Sequence, residues 1–213
     1  MKKLVIFPFN GNGIEALDCI DETEFDFLGF VDDDLAKRSA HYKILRRNFI
    51  EKHTDVLVLA VPGSSLSYLN RKKIISSLPV SNPKRFVSIQ HPTAFVGKNV
   101  KIGVNCLIMA GVVLTSNAQI KDHVCILPNS VIHHDSIIGE YTLVGSNVVV
   151  AGGTYIGKNC YVGSGSSIMN DLSIGDGSLV GMGSNVIRNV EKRVVVAGNP
   201  ARDLSFRNKT KSF

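Results

Sequence analysis

From His91 onward the apolar residues fall on a fixed beat. The chain divides into consecutive blocks of six, from HPTAFV (91–96) through HHDSII (133–138) to GMGSNV (181–186), with no insertion between them. All sixteen blocks end in Ile, Leu or Val. Were a third of residues aliphatic, that match in fixed phase would arise by chance on the order of once in ten million trials. Two places before each terminal aliphatic stands a small or modest residue, such as Cys106, Ala118, Ser130, Thr142 or Cys160. Positions two apart on a strand face the same way, so both point inward. Gly and polar residues fill the opening places of each block, where the chain must turn. The pattern predicts a solenoid of three short strands per coil, 18 residues per turn, rising ~4.8 Å per coil.

Residues 1–88 lack this beat. KLVIFPF reads as a strand leading into Asn10-Gly11-Asn12-Gly13 and a helix from about Ile14, and FDFLGFV as a strand ending at Asp32-Asp33-Asp34. A helical stretch follows around RRNFIEKH, then the strand DVLVLAV, a helix through LSYLNRKKIISSL, and a strand RFVSI feeding the coil. The expectation is a small, Rossmann-like, doubly wound parallel sheet over 1–88, followed by a coil domain over 89–213. Ligands of such sheets bind beyond the carboxyl ends of the strands, which picks out the NGNG turn and the acidic end of the second strand.

Composition narrows the field. The formal net charge is +6, and the segment from Glu191 holds +4 of it, in Lys192, Arg193, Arg202, Arg207, Lys209 and Lys211 against Glu191 and Asp203. No basic face or motif for nucleic acid is visible, and the tail reads as a solvated, partly disordered end. No apolar run approaches the ~20 residues of a membrane span, and the start lacks a secretory cleavage site, so a cytoplasmic protein is expected. The four cysteines form no CxxC pair, which indicates neither zinc knuckle nor redox motif. Cys106 and Cys160 fall at inward positions and read as core.

Of six histidines, His41 and His53 lie away from the predicted strand ends, and His91 opens the first coil. His134 occupies the second place of its block, a turn position, with Asp135 after it. The residues alone allow two readings: solvated turn side chains, or an imidazole oriented by a carboxylate and able to take a proton near neutral pH.

The block pattern, the ending VVVAGNPAR (194–202), the GFVDDD strand end and the linker FVSIQHPTAFVG together resemble the hexapeptide-repeat acyltransferases. The likeness is to their sialic acid and nucleotide-linked 4-amino-sugar acetyltransferase family, along nearly the whole chain. The resemblance implies a left-handed parallel β-helix, acetyl-CoA as co-substrate, no metal, and a homotrimer with the CoA groove between subunits. HHDSIIGEY resembles the family's H-[DE]-x-x-I-G-E signature, which makes His134 the general base and Asp135 its orienting partner. By position, Asn10, Gly11, Asn12 and Gly13 would line the nucleotide, and Asp32 and Asp33 would bind base or ribose. Gly152, one coil above His134, would face the thioester, and Ser164 and Met182 the pantetheine arm. Leu143 stands at a CoA-side place where relatives often carry a second histidine, Leu127 where they often carry Asn, and Pro8 where they often carry Gly. The implied reaction is N-acetylation of a nucleotide-linked 4-amino-4,6-dideoxy sugar, with O-acetylation of sialic acid or a related sugar as the alternative. A zinc hydratase of the γ carbonic anhydrase type needs an H-x-x-x-x-H pair that is missing here. A non-catalytic scaffold is the remaining competitor.

Overall fold

The computed structural model describes residues 1–204. Three of the basic tail residues, Arg207, Lys209 and Lys211, lie outside the described residues.

Four parallel strands, β1 (Lys2–Phe7), β2 (Phe25–Val31), β3 (Ile44–Leu45) and β4 (Leu57–Ala60), form a sheet in the order β3-β2-β1-β4. Between them run the short helices α1 (Gly11–Glu15) and α2 (Asn48–Lys52), and α3 (Arg71–Ser76) follows β4. β1 lies inside the sheet and β4 at its edge, and the apolar runs of both are covered on both faces. Two sequence expectations change. RFVSI is not a fifth strand: Phe86 makes only a single bridge to Val58, while Ile89–Gln90 already pairs with Leu107–Ile108 as the first rung of the coil. The short β3 was not foreseen, since two residues leave no periodicity to read.

Above residue 88 the strands are residue pairs that stack with an offset of 18, as in Val131↔Val149 and Leu143↔Tyr161. Three faces result. One runs from Phe95–Val96 to Asn185–Val186, the second from Lys101–Ile102 to Ser173–Ile174, and the third from Ile89–Gln90 to Leu179–Val180. An antiparallel pair, Val195–Ala197 with Arg202–Asp203, extends the third face. From Ile108 to Val186 every block-ending aliphatic is buried. The inward hydroxyls are satisfied by the next coil: Ser130 Oγ donates to Gly145 O (2.7 Å) and accepts from Val148 N (3.0 Å), and Thr142 does the same with Gly157 O and Cys160 N. A buried hydroxyl left without such partners would cost ~1–3 kcal/mol. The third block position adopts positive φ at Asn105, Asn117, Asn129, Asp135 and Asn159, a left-handed turn that Asn and Asp tolerate best. Cys106 and Cys160 are fully buried, with thiols pushed up to about 11 by burial, as befits core side chains.

The third face is covered over its middle coils. Its outward residues Leu107, Cys125 and Leu143 join Leu4, Ile6, Phe30 and Leu59 of the sheet in one apolar cluster. A polar clamp reinforces the contact along the adjoining corner. Asn105 pairs with both the N–H and the carbonyl of Ala60, and Tyr68 Oη donates to Gly177 O. The guanidinium of Arg71, wholly buried at the start of α3, donates to the carbonyls of Tyr141 (2.8 Å), His123 (2.8 Å) and Pro62. His123 stacks on Tyr141 with ring centroids 4.6 Å apart, and its Nδ1 meets Asn105 Nδ2 at 3.0 Å. Burial lowers the His123 pKa, which keeps that nitrogen an acceptor.

Candidate active site

His134 sits on the corner between the first and second faces, opposite the face covered by the sheet. Its turn projects because Ile132 and Ser136, two places to either side, point into the core. The ring is well exposed, at 64% for the side chain, and Nδ1 lies 2.8 Å from Asp135 Oδ2. Asp135 accepts a second bond at Oδ1 from Asn117 Nδ2 (2.8 Å). Those two bonds, the histidine's first, hold its carboxyl below the usual carboxylate range. An acceptor on Nδ1 leaves Nε2 as the nitrogen free to take a proton.

Gly152 lies directly against this ring, as the coil spacing requires. A Cβ built there would stand 2.6 Å from both Cε1 and Nε2 of His134. The backbone also links the two levels, with Gly153 N donating to His134 O at 3.0 Å. Gly152→Ala is therefore expected to push the imidazole off its position and lower turnover ~10-fold or more, while the melting temperature moves little; unchanged steady-state rates would contradict it.

Ser164 and Met182 stack on the next corner, joined by Gly183 N to Ser164 O (2.9 Å). Ser164 Oγ accepts from Ser146 N, and Met182 is 72% exposed. The first face separates this column from His134 and Gly152. Leu143 departs from its expected CoA-side role. It is 2% exposed and packs in the cluster between coil and sheet, because its place in the block points outward on the covered third face.

At the carboxyl ends of β1 and β2, Asn10 caps α1 through a 2.8 Å bond from Gly13 N to its Oδ1. Gly13 permits a tight approach, since a Cβ there would stand 2.5 Å from Pro8 O, whereas Gly11 meets nothing within 4 Å. Asn12 Nδ2 reaches Gly63 O beyond β4 (3.4 Å). Asp32 behaves differently from the expectation that it binds ligand. It is 5% exposed, and its oxygens accept from Phe9 N (3.0 Å), Asp34 N (2.9 Å) and Lys37 Nζ (2.8 Å). Burial alone would raise its pKa; the Lys37 and backbone bonds outweigh this and lower it. Asp32 thus holds the β1–α1 turn in place, with Lys37 also bonding Phe9 O. Asp33 is half-exposed and pairs with Arg47 Nε at 2.7 Å. Among the described residues no three His, Cys, Asp or Glu side chains group to hold a metal ion, and no helix is long and apolar enough to cross a membrane.

The comparisons agree with this architecture. The bacterial transferase hexapeptide model (six repeats) matches residues 117–152 and 153–188, and the hexapeptide repeat of succinyl-transferase matches 94–121. No curated protein sequence matches. Among solved structures, the acetyltransferase domain of PglB from Neisseria gonorrhoeae FA1090 in complex with acetyl coenzyme A superposes with a TM-score of 0.82 at 20% identity, over 95% of this chain and 99% of that one. PerB from Caulobacter crescentus in complex with CoA and GDP-perosamine gives 0.82 at 21% identity, over 95% and 97%. WeeI from Acinetobacter baumannii AYE gives 0.80 at 28% identity, over 94% and 99%. Residues 94–188 of the coil match hexapeptide-repeat models. The whole chain has the fold of these acetyltransferases, a Rossmann-like α/β sheet followed by a left-handed parallel β-helix.

Proposed function

We propose that the protein is an acetyl-CoA-dependent N-acetyltransferase of a nucleotide-linked 4-amino-4,6-dideoxy sugar, with His134 as general base and Asp135 as its orienting partner. One observation carries the reading: an exposed imidazole, oriented at Nδ1 by a carboxylate, lies against Gly152 on a corner of a transferase coil. Nε2 takes the proton of the attacking sugar amine as the new C–N bond forms to the acetyl carbon. The C–S bond breaks, and the thiolate of CoA leaves and regains a proton. PerB and the PglB domain, with their bound CoA, GDP-perosamine and acetyl coenzyme A, support this choice of co-substrate and acceptor class.

The working form proposed is a homotrimer in the cytoplasm. The sheet covers the third face, so the nucleotide end of one protomer lies across the coil from its own His134. The first face is left with outward Phe95, Val113, Val131 and Val149 over its first four coils, ahead of Ser167 and Asn185, an apolar strip suited to a second copy, whereas the second is mixed, with Lys101, Gln119, Ile137, Tyr155 and Ser173. Packing copies on that strip brings His134 of one beside the groove of its neighbour, with Gly152, Ser164 and Met182 along the pantetheine arm. Asn10, Gly11, Asn12, Gly13 and Asp33 are the proposed nucleotide contacts.

Initial rates of thiol release from acetyl-CoA, taken with UDP-, dTDP- and GDP-linked 4-amino-4,6-dideoxy sugars and with sialic acid, test the reading. One amino sugar is expected to exceed sialic acid in kcat/KM by ~100-fold or more. Faster turnover of sialic acid would replace it with O-acetylation.

A further inference from the structure

We propose that Asn117 is a positioning residue for the His134–Asp135 pair, its carboxamide fixing the carboxylate so that one oxygen faces Nδ1. The inference rests on His134 acting as base and extends that reading to a residue one coil below. Asn117 precedes Asp135 by 18 residues and shares its left-handed turn, at φ 65° against 60°. The two turns are joined by Asp135 N donating to Ser116 O at 3.1 Å.

The direction of the amide follows from chemistry. An ionised carboxylate only accepts, so the Asn117 NH2 must face Asp135 Oδ1, at 2.8 Å. Its oxygen is then left to accept from Asn99 Nδ2 one coil lower, at 3.3 Å. Asn99, Asn117 and Asp135 form a one-way ladder of donors ending at the carboxylate. The next place up is Gly153, which has no side chain, so the ladder stops at the level of the imidazole. Asp135 is thereby held at both oxygens, Oδ1 by Asn117 and Oδ2 by the ring. A carboxylate held at only one oxygen could rotate about its own axis and release Nδ1. Because the donor is neutral, it restrains the carboxylate without cancelling the charge that supports the imidazolium.

The test is an NMR titration of the His134 imidazole in the full chain, with kinetics beside it. Asn117→Gly keeps the left-handed turn but removes the donor. The carboxylate is then free to turn away, and the His134 pKa is expected to fall by ~0.5 unit. Asn117→Asp, nearly isosteric, adds an anion and should shift the pKa the other way by a similar amount. With the best acceptor of the panel, kcat should drop ~10-fold for Asn117→Gly, with KM for both substrates within ~2-fold. A loosened coil would not move the two titrations in opposite senses. An Asn117→Gly variant with the wild-type titration curve and wild-type kcat would overturn the proposal even where His134→Ala is inactive. Full activity of His134→Ala would instead remove the base itself, and the positioning role with it.

Discussion

His134→Ala is expected to lower turnover by ~100-fold or more while leaving CoA binding nearly unchanged. The ring is exposed and makes its polar contact with Asp135 alone among side chains, so its removal opens no cavity and should not disturb the coil. Gly152 and Ser164, proposed partners of the CoA arm, keep their backbone positions because their carbonyls accept ladder bonds from Asp171 N and Gly183 N of the next coil. The loss therefore belongs in kcat. Steady-state kinetics with a calorimetric CoA titration separates the two quantities, and a loss of only a few-fold would take the histidine out of the mechanism. His133, whose N–H bonds Val150 O, is the natural neighbour for comparison, and His133→Ala should change rates little.

Arg71→Met is expected to destabilise the chain by ~2–4 kcal/mol. Three backbone carbonyls from two parts of the chain, those of Pro62, His123 and Tyr141, receive their hydrogen bonds from this one guanidinium. Each loses its donor at a cost of ~1–3 kcal/mol, and relief from burying a cation recovers part of the sum. Burial already lowers the Arg71 pKa, a sign of how strongly the site disfavours an unsolvated charge without those carbonyls. Methionine fills similar volume, so the change reports the polar clamp rather than a void. The exposed neighbour Lys72 provides the comparison: Lys72→Met should stay within ~0.5 kcal/mol by chemical denaturation. Equal midpoints for the two variants would show that the clamp contributes nothing.

The coil was legible almost residue by residue, because a period of six with inward positions two apart admits one architecture. The 18-residue spacing also placed Gly152 against His134, a contact that no local motif describes. What the sequence hid was which face is covered. Part of the signal was present in Leu107, Cys125, Leu143 and Tyr161, outward places 18 apart that are apolar, against Lys101, Gln119 and Ser173 on the second face. The first face, with Phe95, Val113, Val131 and Val149, is apolar as well, so the columns alone do not tell which of the two the sheet covers. Leu143 was misplaced because it was judged against relatives at one position and not within its own column. Asp32 shows another limit. A carboxylate at a strand end can face a ligand or its own loop, and only the fold reveals that Phe9 N and Lys37 occupy it. Asn117 was missed because it lies 17 residues from His134 in sequence, yet subtracting one coil from Asp135 would have found it.

Diffraction from crystals grown with acetyl-CoA tests the central claim most directly. The thioester is expected in a cleft between two copies of the chain, its carbonyl beside Gly152 and its acetyl carbon within ~4 Å of the space that His134 Nε2 faces. Density for the acetyl group on a different corner of the coil, with His134 open to solvent and no second chain beside it, would contradict the account.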